Sequence, residues 1–168
     1  MALAASFMLA ACGGPNTYTS GPISFQYPHG WRTVLPPAST PGGAGRTTRV
    51  GVGIDPNDVV VLVTTDLSGV TSAQDIQSTE QSVVQSLADG AKNRGASVQG
   101  PFADKIGGFD GLGLAITGLQ ISGSTLVSRV VVVVRGGVEY LLNCLATPGH
   151  ADEVGKGCAQ VISTFSLS

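Results

Sequence analysis

Three cysteines and two histidines carry most of the reactive chemistry in this 168-residue chain, and their spacing decides what they can do. Cys12 stands alone after an apolar run, whereas Cys144 and Cys158 lie together near the C-terminus. A nucleophile needs a base beside it. His29 sits in a Pro-His-Gly turn, His150 belongs to no nucleophile motif, and no G-x-S-x-G occurs. His150 is close in sequence to Cys144 and Cys158, but three scattered ligands match no zinc spacing. Asp55, Asp58 and Asp66 lack a glutamate at calcium-loop distance. Gly108-Phe109-Asp110-Gly111-Leu112-Gly113 does not keep the G-x-G-x-x-G order and leads into a strand, where that fingerprint needs a helix. Asp104 and Glu139 would pair only by accident of folding. The pattern therefore implies no enzyme, no metal and no cofactor, and a hydrolase is the weakest functional reading. What remains is a surface: Tyr27, Trp31 and Arg32 offer aromatic and cationic groups for a ligand or partner, unless Trp31 caps the core at a strand end.

The question at Cys12 is why a thiol follows MALAASFMLAA. Eleven residues make a helix of about 16 Å, too short for a ~30 Å hydrocarbon core, so residues 1–11 read as the remnant of a signal-peptide apolar core rather than a span. Leu9-Ala10-Ala11-Cys12 resembles the lipobox of bacterial lipoproteins, whose thiol is alkylated with diacylglycerol before cleavage ahead of the cysteine. That resemblance implies an acylated Cys12 (palmitate-bearing) as mature N-terminus, anchored to the outer face of the cytoplasmic membrane through residues 12–21, a polar tether. Signal peptides open with basic residues, yet the first here is Arg32, so a basic segment is expected upstream of Met1.

The remaining 157 or so residues suit one domain, 22–168, with a sizeable core. A net charge of −2 gives no reason to bind nucleic acid or an anionic bilayer face. Only 12% of residues are charged, a composition suited to an extracytoplasmic β-rich domain. With Cys12 lipidated, Cys144 and Cys158 remain as a pair, for which a disulfide is the default in an oxidising compartment; two buried free thiols are the alternative.

These residues must be positioned by the elements the pattern predicts. Ile23, Phe25 and Tyr27 alternate with polar residues as in a half-buried strand, and residues 31–35 form a second short one. Residues 36–45, PPASTPGGAG, read as a loop. Residues 49–54 and 59–65 form a hairpin. Between 71 and 94 the period changes: Thr71 and Gln74 resemble a capping box, Ile76, Val83, Leu87 and Ala91 make an apolar stripe, and Gly95 follows as a cap. Strands at 97–106, 109–121, 125–134 and 138–146 follow. Gly136-Gly137 marks a tight hairpin, and the valine run 130–134 suggests a strand covered on both faces. A second helix, about 150–164, presents Val154, Cys158, Val161 and Phe165 at spacings of four, three and four, which turns Cys158 toward Cys144.

The run Ile23-Ser24-Phe25-Gln26-Tyr27-Pro28-His29-Gly30-Trp31 looks like the strand and Tyr-Pro-x-Gly-Trp opening of the PsbP-like fold. The late hairpin with a cysteine in its last strand and another in the final helix is similar to small actinobacterial lipoproteins of the LpqN/LpqT type. The resemblance implies an α+β fold, a single-domain antiparallel sheet between helices (an α-β-α sandwich), and a non-catalytic envelope protein. Two functions compete: a lipid-anchored binding or scaffold module holding an envelope protein or lipid, and a carrier whose sheet and helix enclose a cavity for an apolar ligand. A continuous apolar cavity of roughly 300 Å³ or more would favour the carrier.

Overall fold

A computed structural model describes residues 13–34 and 47–168. Cys12, the apolar run 1–11 and the expected loop 36–45 lie outside the described residues.

The chain enters through a hairpin, β1 (Asn16–Ser20) and β2 (Ile23–Tyr27), followed by the short β3 (Arg32–Thr33). β4 (Thr47–Asp55) and β5 (Asp58–Asp66) form the next hairpin and α1 (Ala73–Lys92) follows. Four long strands come next: β6 (Ser97–Ile106), β7 (Phe109–Ile121), β8 (Ser124–Arg135) and β9 (Val138–Ala146). A 3₁₀ turn at Pro148–His150 leads into α2 (Ala151–Thr164) and β10 (Ser166–Leu167). The main sheet has seven strands in the order β3-β4-β5-β9-β8-β7-β6, every pairing antiparallel; β1, β2 and β10 form a separate three-stranded sheet.

Residues 16–20, expected within the tether, are a strand. Thr17 and Thr19 are β-branched, and the register sets Tyr18 opposite Phe25, where the rings stack at 4.9 Å. That contact holds a polar segment against β2. The expected second strand shrinks to Arg32–Thr33.

Alternation along the strands divides the core in two. Val59, Val61, Val63, Val130, Val132 and Leu141 face α1; Val60, Leu62, Val131, Val133, Leu142 and Cys144 face α2. β8 is thus buried on both faces, as its valine run requires. Gly136 and Gly137, at φ +59° and +75°, make the two-residue turn between β8 and β9.

Both helices are fixed at their ends. The cap of α1 is Ser72, one residue beyond the expected Thr71: its hydroxyl accepts from Asp75 N–H at 3.1 Å and donates to the Asp75 carboxylate at 2.6 Å. Aspartate therefore does the work expected of Gln74. At the other end Ala96 N–H bonds to Ala91 O and Gly95 N–H to Lys92 O, with Gly95 at φ +78°. The buried side of α1 is Glu80, Val84, Ala88 and Ala91, with Val83 and Leu87 packed beside it, a stripe rotated slightly from the expected one. On α2, Val154, Cys158, Val161 and Phe165 are all buried.

Candidate functional site

Of the three residues offered as a ligand surface, the structure buries one, half-buries the second and exposes the third. Trp31 is 6% exposed and lies across α2: a Cβ built on Gly157 would stand 2.1 Å from its Cη2. Its indole N–H is buried without an acceptor. Tyr27 is half-buried and packs edge-on to Phe25 at 6.4 Å, while Arg32 is exposed. Trp31 therefore closes the core and turns no ring face to solvent.

Cys144 on β9 and Cys158 on α2 are bonded, with Cα atoms 5.9 Å apart. Strand alternation and the helical stripe bring both side chains into the layer between sheet and α2.

Among the described residues a hollow lies where the β1–β2 hairpin stands off the main sheet. It measures about 360 Å³, is open to solvent on one side, and is walled by Tyr18, Ile23, Val50, Leu62 and Tyr140. Its rings are held from behind, Tyr18 by Phe25 and Tyr140 by Phe165 at 5.7 Å. Thr48 and Thr64, whose hydroxyls hydrogen-bond to each other across β4 and β5, add polar groups to the wall, as do Ser20 and Arg49. Such a hollow is of small-molecule size. Of its lining, only Ile23 figured among the sequence motifs. The hollow comes from the gap between two sheets, and no periodicity signals it.

A polar cluster also escaped the sequence reading. Asp58, 1% exposed at the start of β5, accepts from Thr147 N–H at 2.7 Å and from Thr147 Oγ1–H at 2.9 Å. Its other oxygen lies 2.8 Å from Nδ1 of His150. The carboxylate thereby ties the β5 start to the turn that opens α2. The bond to Asp58, followed by the charges of Asp58, Glu153 and Asp55, raises the His150 pKa above its ordinary 6.5. This cluster is an orienting pair on a half-exposed imidazole, and its observed partners serve the fold.

Two further carboxylates titrate upward. Glu80 of α1 accepts from Val134 N–H at 2.9 Å, which partly offsets the burial that raises its pKa above 4.5; Glu139 is raised by burial alone. In all three cases the folded state holds its proton more tightly than the unfolded chain. Each contribution to stability is then complete below the unfolded pKa and is lost as pH rises through the folded one. The carboxylates place this loss above 4.5 and His150 places it above 6.5. The urea midpoint is expected to fall as buffer is changed from about pH 5 to about pH 8. His150→Gln should flatten the upper part of the profile and Glu80→Gln the lower part. A midpoint that rises with pH would contradict both assignments.

No family model matches the chain, and no curated protein does. Solved structures do. Cyanobacterial PsbP (CyanoP) from Synechocystis sp. PCC 6803 aligns over 95% of this chain and 99% of its own, with a TM-score of 0.61 and 15% identity. LpqN of Mycobacterium tuberculosis, described as involved in cell envelope biogenesis, aligns over 95% of this chain and 87% of its own, at 0.51 and 19%. A Pseudomonas aeruginosa protein of unknown function, PA94, aligns over 90% and 96%, at 0.51 and 17%. Among the described residues no helix is long and apolar enough to cross a membrane. At these identities the likeness is one of architecture, and the chain has the PsbP-like α+β fold.

Proposed function

We propose that this chain is a lipid-anchored, extracytoplasmic binding module of the cell envelope that acts by holding a ligand or partner and not by catalysis. The observation that carries the binding role is the 360 Å³ hollow under the β1–β2 hairpin, with its ordered aromatic walls and hydroxyl pair. Two features support the compartment: the Leu9-Ala10-Ala11-Cys12 sequence, and a Cys144–Cys158 bond of the kind that persists in oxidising surroundings. The similarity to LpqN, a protein of envelope biogenesis, points the same way.

Two measurements test the two halves of this reading. For the anchor, an inhibitor of the lipoprotein signal peptidase is expected to make the precursor accumulate, and Cys12→Ala to release the protein from membranes. An unmodified Cys12 in membrane-associated protein, seen by mass spectrometry, would sink it. For the binding role, native mass spectrometry of the protein taken from its membrane is expected to show a retained apolar molecule or partner. Val138→Trp, which adds an indole to the lining of the hollow, should remove it. Retention unchanged by that variant would place binding elsewhere.

A second reading is the carrier, which needs a continuous apolar cavity of roughly 300 Å³ closed by sheet and helix. The hairpin hollow reaches about 360 Å³ but is open to solvent and lined in part by Ser20, Thr48, Arg49 and Thr64, so it supports that reading by size alone. A carrier should pass its ligand between vesicles when the anchor is removed, whereas a binding module should only retain it.

A further inference from the structure

A second, smaller cavity lies on the opposite face of the sheet, between α1 and strands β7 to β9. It measures about 100 Å³ and its walls are apolar, with Ile116, Leu119, Leu141 and Leu145 among them. Its floor is not. Ser128 of β8, 6% exposed, donates to Asn143 Oδ1 of β9 at 2.7 Å, a polar pair set in the middle of a hydrophobic face. That bond satisfies the serine, and among the described residues the amide N–H groups of the half-buried Asn143 meet no acceptor. Polar groups cost stability on an apolar face, and a free donor there is a recognition element waiting for an acceptor.

The helix above it supplies the rest. Ser86, Gly90 and Arg94 recur at spacing four and form the rim. Glycine lowers helix stability in an interior turn. At Gly90 packing does not require it, because an added Cβ would meet nothing within 4 Å. Its effect is to leave room. Arg94 is exposed, and among the described residues its side chain makes no ion pair. It is also the one charged residue in a lining that contains no carboxylate.

From these observations we infer that the α1 cavity binds a small branched apolar carboxylate, with the carboxylate taken by Arg94 and the Asn143 amide and the tail seated on Leu119 and its neighbours. Size suits a short branched tail: the space is about 100 Å³, well below that of the hairpin hollow. The same chemistry is offered by a free branched-chain acid and by the C-terminal leucine of a partner chain. The site is separate from the hairpin hollow, so its failure would leave the proposed binding role standing.

The test follows the side-chain amide resonance of Asn143 in the full chain while isocaproate is added. Saturable shifts are expected, at least tenfold weaker with uncharged isocaproamide and in Arg94→Gln. Gly90→Leu should abolish them while leaving the thermal midpoint unchanged or higher, because it fills the cavity with a better helix former. A short peptide ending in leucine, compared with its C-terminal amide, separates the sources: tighter binding by the free-ended peptide than by isocaproate assigns a chain end, and binding of isocaproate alone assigns the free acid. Absence of shifts with both probes, or equal shifts in Arg94→Gln and Gly90→Leu, overturns the assignment.

Discussion

Breaking the Cys144–Cys158 bond is expected to lower the free energy of unfolding by about 3 kcal/mol and to loosen α2 before any other element. The bond closes a loop with a sequence separation of 14, and a loop of about that length costs the unfolded chain roughly 3 kcal/mol less entropy on folding once it is closed. The helix depends on it. α2 buries Val154, Val161 and Phe165 beside Cys158, and each such side chain contributes on the order of 2 kcal/mol against the ordering of its own backbone. Reduction of the wild-type protein is the cleaner perturbation, because a serine at Cys158, where only 1% is exposed, would also bury a hydroxyl. Amide exchange across residues 151–164 should accelerate on reduction while the β8–β9 ladder stays protected. Two titratable thiols in the folded, unreduced protein would remove the basis for this expectation.

The bond could be anticipated because Cys144 and Cys158 are the pair left once Cys12 is assigned to the lipid. Cys144 lies in the apolar run 138–146, and the spacing of Val154, Cys158, Val161 and Phe165 turns Cys158 toward the sheet. The long strands were legible from the same kind of pattern, each bounded by glycine turns. What periodicity cannot give is which segments meet. Asp58 and His150 are 92 residues apart, and they touch only because β5 lies beside β9 and the turn after β9 returns over the start of β5. Neither residue has a local pattern that requires the other. The two cavities are illegible in the same way, since one is a gap between sheets and the other a gap left by Gly90 and a polar pair. The strand at Asn16–Ser20 had a signal, alternating threonines around Tyr18, but its polar composition reads equally well as a tether until Phe25 is placed opposite.

The largest single loss is expected from Trp31→Ala, about 3–5 kcal/mol, because the indole is 6% exposed and its removal leaves a cavity between β3 and α2 that a helix backbone cannot collapse to fill. The same contact makes an opposite and more diagnostic demand on α2. Alanine is better than glycine inside a helix by nearly 1 kcal/mol, so Gly157→Ala ought to stabilise on propensity alone. Its Cβ, however, would lie 2.1 Å from Cη2 and 2.6 Å from Cζ2 of Trp31, closer than atoms can approach. The ring or the helix must move, and overpacking of this kind costs about 1–3 kcal/mol, so Gly157→Ala should destabilise. Gly155 is the control. It stands on the same helix, an added Cβ there meets nothing within 4 Å, and Gly155→Ala should raise stability by about 0.5–1 kcal/mol. The two effects at the contact should also not add: once Trp31 is alanine, the Gly157 methyl has space, and the double variant should be more stable than Trp31→Ala alone. If Trp31 were instead a ligand platform held away from α2, Gly157→Ala would stabilise as Gly155→Ala does. Urea unfolding of the four variants beside the wild type decides between a ring that locks the helix and one that waits for a partner.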